Sequence, residues 1–145
     1  MGPWLGDSAE SSWISVAENT NGEPVDHAFK QAFNLLGLDA STVVITGRWS
    51  SDNLGVDILV NGTSTGFKND AQFGGWTDFS LSSADGHAFQ AGDNELTFVV
   101  NNAPPDLNPV GLRVEFSSAT ADVIPEPSAT VLCAFGLGFM LRRRR

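Results

Sequence analysis

The sequence predicts an all-β protein: an antiparallel β-sandwich, or jelly roll, followed by a single short hydrophobic helix at the C-terminus. Three observations carry this. Apolar and polar residues alternate with a period of two through most of residues 40–117. Gly, Asn, Asp and Pro bound the alternating runs, and these residues end strands and turn chains. No helical repeat intervenes between the runs, which favours packed antiparallel sheets over a parallel sheet with crossover helices.

The elements follow in order. "HAFKQAFNLLGL" places Phe29, Phe33 and Leu36 at helical spacing, and Phe29, Phe33 and Leu35 on one strand face. The strand is preferred because its neighbours are β. In "TVVITGRWS", Val43, Ile45, Gly47 and Trp49 share one face, which places Trp49 in the core. In "GVDILVNG", Val56, Ile58 and Val60 oppose Asp57 and Leu59, and Asn61-Gly62 then signals a hairpin because both residues tolerate positive φ. Gly92-Asp93-Asn94 reads as a turn before "ELTFVVNN", in which Leu96, Phe98 and Val100 share one face; "GLRVEF" repeats the pattern with Leu112, Val114 and Phe116. Arg48 and Asp57 are expected to pair across adjacent strands on the outer face.

Charge narrows the function classes. Before Pro125 there are four basic residues against sixteen acidic ones, a net of −12. The other four of the chain's eight basic residues are Arg142, Arg143, Arg144 and Arg145. Such a body repels phosphate backbones, which argues against a nucleic-acid partner. It tolerates cations, and Ca²⁺ is the candidate, with loop oxygens from "SSDN" and "NNAPPDLNP". The only cysteine is Cys133, so an internal disulfide and a thiolate metal cluster are both excluded. His27 and His87 are the only histidines and adjoin no nucleophile or metal-ligand motif, and no Gly-x-Ser-x-Gly is present, so no catalytic residue is assigned and no enzyme is expected.

The division expected is a body over residues 1–122, with its core about 10–118, and a C-terminal segment over 123–145. Residues 129–141 are almost wholly apolar, and the arginine tail over 142–145 follows directly. As a helix the apolar residues extend roughly 20 Å, against about 30 Å for a bilayer core. Arginines on the C-terminal side keep that end cytoplasmic, so an inserted helix leaves the body outside.

Pro125-Glu126-Pro127, then Ser128, the apolar run and the terminal Arg142, Arg143, Arg144 and Arg145 resemble the PEP-CTERM protein-sorting signal, a segment also known as the ice-binding protein C-terminal domain. The resemblance covers about the last 23 residues. It implies a Gram-negative bacterium that makes exopolysaccharide, export, a transient stay in the inner membrane, and cutting near Pro125, Glu126 and Pro127 by an exosortase-type enzyme. Delivery to the cell surface or extracellular matrix follows. Export needs a leader, and "MGPWLGDSAESSW" lacks a basic n-region and an apolar h-region, so the gene product is expected to begin upstream. The body lacks a repeated Thr-x-Thr face, so an ice-binding role is not expected of it.

"ITGRWSSDNLGVDILVNGTSTG", "FGGWTDFSL", "FQAGDNELTFVVNNA" and "NPVGLRVEF" together resemble the galactose-binding-domain-like jelly roll, over roughly residues 10–118. The resemblance implies a non-catalytic accessory or surface module. Sugar binding wants an exposed aromatic plate beside amides or carboxylates. The candidates are Trp76, in a loop after Gly74-Gly75, with Asp52, Asn53, Asn101 and Asn102; Trp4, Trp13, Arg48 and Asp57 form a wider set. Each has a plainer reading: Trp13 packs on the sandwich edge, and Asp52-Asn53 makes a turn. The expectation is a carbohydrate-binding or matrix module, with a purely structural surface protein or a fragment of a glycoside-active enzyme as the alternatives.

Overall fold

A computed structural model describes residues 4–18, 21–103 and 107–126. Of the expected sorting signal, Pro125 and Glu126 are among these residues. Pro127, the expected helix over 129–141, and Arg142, Arg143, Arg144 and Arg145 lie outside them. Nine strands form among the described residues: β1 (Asn21–Gly22), β2 (Asp26–Asn34), β3 (Val44–Asp52), β4 (Leu54–Val60), β5 (Thr63–Ser64), β6 (Thr77–Ser82), β7 (Asp93–Asn101), β8 (Asn108–Pro109) and β9 (Gly111–Thr120). The larger sheet has the order β2-β7-β4-β5, the smaller one β6-β3-β9, and β1 pairs with β8 in a short ribbon. Every one of these strand pairings is antiparallel. Among the described residues no helix is long and apolar enough to cross a membrane.

The alternation in the sequence explains how the sheets meet. Trp49 (β3), Phe79 (β6) and Phe116 (β9) point from the smaller sheet towards Phe98 (β7) of the larger one. Their ring centroids lie 5.6, 5.9 and 6.5 Å from that of Phe98. Such offset and edge-on pairs each add about 0.5–1.5 kcal/mol beyond area burial. Ile58, Val60, Leu81, Leu96, Val100 and Leu112 close the core around them. Gly47 sits under the Phe79 ring, where a Cβ would lie 2.7 Å from Phe79 Cζ. The β3–β9 register shifts between Thr46 and Gly47.

Several sequence expectations hold. "HAFKQAFN" is strand and not helix, because all nine residues of β2 pair with β7. Asn61 (φ +50°) and Gly62 (φ +78°) turn the β4–β5 hairpin. Of the turn expected at Gly92-Asp93-Asn94, only Gly92 (φ +82°) precedes β7; Asp93 and Asn94 are already the first two residues of that strand and pair with β2. The Asn61 amide donates to Ala88 O and Asn94 Oδ1, both at 2.8 Å, which ties this turn to the chain entering β7. Trp49 is fully buried.

A side-chain pairing also differs from expectation. Arg48 does not meet Asp57, because β3 and β4 belong to different sheets. Arg48 Nη2 lies 2.6 Å from Glu115 Oε2 on β9. The Asp57 carboxylate instead accepts from Ser64 Oγ at 2.5 Å and Gly66 N at 2.9 Å within its own hairpin.

Candidate functional site

Strand parity that sends Trp49 inward sends Arg48, Ser50 and Asp52 to the outer face of the smaller sheet. Gly111, Arg113 and Glu115 join them from β9. In a two-layer fold this face would meet water, yet Arg113 is 3% exposed. The N-terminal segment covers it. Arg113 Nη1 donates to Gly6 O. Its Nε donates to Ser11 Oγ at 2.7 Å and its Nη2 to Ser8 Oγ at 2.9 Å. Glu115 accepts from Ser11 Oγ at 2.8 Å and from both arginines. The Ser11 hydrogen bond, then Arg48, holds the Glu115 carboxyl below the usual carboxylate range.

Three of the four tryptophans complete this face. Trp4 and Trp13 pack against each other with centroids 4.6 Å apart and planes tilted by 42°. Trp4 lies over Gly111, where a Cβ would come within 2.9 Å of the indole. Trp4 Nε1 donates to Asp52 Oδ2 and Trp13 Nε1 to Leu5 O, both at 2.7 Å. Trp76 is half-buried in the loop before β6, with Arg48 Cζ 4.6 Å and Arg113 Cζ 4.9 Å from its ring centroid. The candidate plate therefore already carries two guanidinium contacts.

The other candidates gather at one end of the sandwich. "SSDN" ends β3 and "NNA" ends β7, and the two come together: Asn53 N donates to Asn101 O at 3.3 Å, and Ala103 N donates to Asn53 Oδ1 at 2.8 Å. Asn101 Nδ2 donates to Asp26 Oδ1 at 2.7 Å. Asn102 is fully buried, and its Nδ2 bridges Gly22 O, Glu23 O and Asn108 O at 2.9–3.3 Å. It is a latch between the β1–β8 ribbon and the larger sheet. Two buried oxygens here, Asp52 Oδ1 and Asn102 Oδ1, have no hydrogen-bond partner among the described residues. Burial raises the Asp52 carboxyl above its ordinary value, and the Trp4 hydrogen bond opposes part of that shift. Asp106, the remaining acid of the second loop, lies outside the described residues.

A concave feature that the sequence did not indicate lies between the edge strands β2 and β9. It is a cleft of about 280 Å³ lined by Phe29, Val114 and Phe116, by Lys30 and Gln31, and by Glu10 to Ser12 and Ile14 of the N-terminal segment. Phe116 shares a strand face with buried Leu112 yet is 46% exposed, because it sits at this open seam. The only hint in the sequence was polar Lys30-Gln31 directly after Phe29.

Comparison with protein-family models, with curated proteins and with solved structures finds no match to this chain.

Proposed function

We propose that this chain is an exported surface or exopolysaccharide-matrix protein of a Gram-negative bacterium, cut at its C-terminal sorting signal by an exosortase-type enzyme. Its body is a non-catalytic, jelly-roll carbohydrate-binding or matrix module. One observation carries the sorting part. Ile124 is tied to the body through its N–H to Gly37 O, and Pro125 and Glu126, both exposed, follow directly, so the expected recognition motif begins on an accessible stretch next to the body. Proline holds such a junction extended and within reach of a processing enzyme. In this reading Arg142, Arg143, Arg144 and Arg145 hold the far end of the apolar run on the cytoplasmic side. The two histidines support a body without catalysis. His27 Nε2 contacts Glu23 O at 2.9 Å, and His87 Nδ1 accepts from Ser82 N at 2.8 Å, so each ring has one nitrogen engaged with the backbone.

The β2–β9 cleft supports sugar binding better than Trp76 does. The partly exposed rings of Phe29 and Phe116 suit the apolar face of a pyranose, and Lys30 and Gln31 suit hydroxyls. Intact-mass measurement on envelope and medium fractions of the native host tests the sorting reading. Loss of everything after the 125–127 region is expected. Full-length chain confined to the cytoplasm would overturn the reading. A glycan array on the mature body, repeated with Phe116→Ala, tests the ligand. Binding that survives this substitution removes the cleft from consideration.

A second reading, a structural surface protein ordered by Ca²⁺, draws on Asp52 Oδ1 and Asn102 Oδ1. Hard cations take six to eight oxygens, carbonyl and amide oxygens included. No group of three or more His, Cys, Asp or Glu converges among the described residues, so such a site would rest on mixed oxygens. A Ca²⁺-dependent rise in melting temperature, lost in Asp52→Asn, is the expected result.

A further inference from the structure

The described chain leaves the sandwich at one end, and that end is apolar. After β9 the backbone runs antiparallel to the turn following β2. Asp39 N donates to Asp122 O at 2.8 Å, Leu38 bridges Val123, and Ile124 N donates to Gly37 O at 2.9 Å. Gly37, at φ +79°, turns the chain and leaves Leu36 at the tip. Leu36 is 86% exposed, Val123 72% and Ile124 51%. Exposed apolar side chains gathered in one place mark an interaction surface.

The chain beyond this point suggests what covers it. Only residues 125–128 separate Ile124 from the apolar run over 129–141. Fully extended, that link reaches at most about 14 Å. The run as a helix covers roughly 20 Å of a core of about 30 Å. A short spanning segment thins the bilayer locally and draws flanking groups into the interface. Both lengths bring this end of the sandwich down to the lipid.

We propose that Leu36, Val123 and Ile124 form a cap that rests in the headgroup–acyl boundary of the membrane holding residues 129–141. The inference rests on the sorting reading above. The ionisable residues that flank the cap in sequence, Asp39, Asp122 and Glu126, are all acidic. Hydrogen bonds from Ser41 hold Asp39 below its ordinary carboxyl range. The cap therefore prefers zwitterionic headgroups, and anionic lipid repels it most at low salt.

The test uses the full chain with Cys133→Ser and an environment-sensitive fluorophore at Leu36→Cys or, as control, at Val25→Cys. Val25 is 52% exposed and lies at the opposite end of β2, about 30 Å away by strand rise. Flotation with phosphatidylcholine vesicles is read beside emission. The expected result is flotation with a shift to shorter wavelength at position 36 and none at 25. Adding phosphatidylglycerol reduces the shift at low salt, and added salt restores it. Flotation with position 36 still in water, or with both positions responding alike, overturns the cap and leaves the sorting reading standing. Failure to float overturns both.

Discussion

Replacing Arg113 by Ala tests whether the N-terminal segment is a structural part of the body. The guanidinium is 3% exposed and donates to Gly6 O, Ser8 Oγ and Ser11 Oγ while lying beside Glu115 and the Trp76 ring. Hydrogen bonds to a charged group each contribute about 1.5–3 kcal/mol. The losses do not sum, because the released segment can rehydrate its carbonyl and hydroxyls. Removing one member of a buried charged cluster costs about 3–5 kcal/mol, and we expect the lower part of that range. For a domain of this size that lowers Tm by on the order of 10 °C. Trp4, Trp13 and Trp76 lean on this face, whereas Trp49 is in the core. Acrylamide quenching of the native variant should therefore rise for the first three tryptophans before any unfolding. Arg113→Lys keeps the charge without the planar fork and should fall between wild type and Ala. A melting temperature within about 2 °C of wild type, with unchanged quenching, would show that Arg113 does not hold the segment in place, against the small Tm shift that a change of a few tenths of a kcal/mol produces.

Other expectations follow from the same contacts. Gly55→Ala places a Cβ 2.5 Å from Trp49 Cη2 and 2.7 Å from Asn69 Cβ, so a fully buried ring must move. Chemical denaturation should register a loss of about 1–3 kcal/mol. Acid should destabilise the fold through Glu115 and Glu95, whose carboxyls sit below the ordinary value of 4.5 through hydrogen bonds led by Ser11 and by Lys30. Stability from such lowered groups is present above the unfolded value and is lost as pH falls through the folded one. Glu115→Gln should flatten the decline of Tm below about pH 4.5. Asp52 has the opposite sign. Its carboxyl is raised by burial, so ionisation above that raised value costs the folded state stability, and the cost is relieved as pH falls. In chelator, Asp52→Asn should therefore raise Tm at neutral pH; with Ca²⁺ present it should lower Tm if the cation reading is right.

Much of the fold was legible locally. Period-two alternation marked the inner faces of β3, β4 and β7, and Asn61-Gly62 marked a hairpin, because each depends on residues next to one another in the chain. "HAFKQAFN" was ambiguous by spacing and became strand because β7 offers it a full ladder of partners. The site was less legible. Asp52, Asn53, Asn101 and Asn102 do meet at one end, yet Asn102 serves as a backbone latch, a role that depends on Gly22, Glu23 and Asn108 from distant segments.

Composition and short-range periodicity suffice for the β class, the acidity of the body, the central place of Trp49 and the apolar, arginine-ended tail. Which strands are neighbours is a matter of tertiary structure, and with it the chemistry of the surface. β3 pairs with β6 and β9, not with β4, the strand that follows it, so Arg48 meets Glu115 and not Asp57. The N-terminal segment folds over a face that strand alternation marks as solvent, and β2 and β9 meet along an open seam that leaves Phe116 half outside. These contacts join residues far apart in the chain, and alternation along a single strand records which side faces inward but not which strand, or which segment, lies against it.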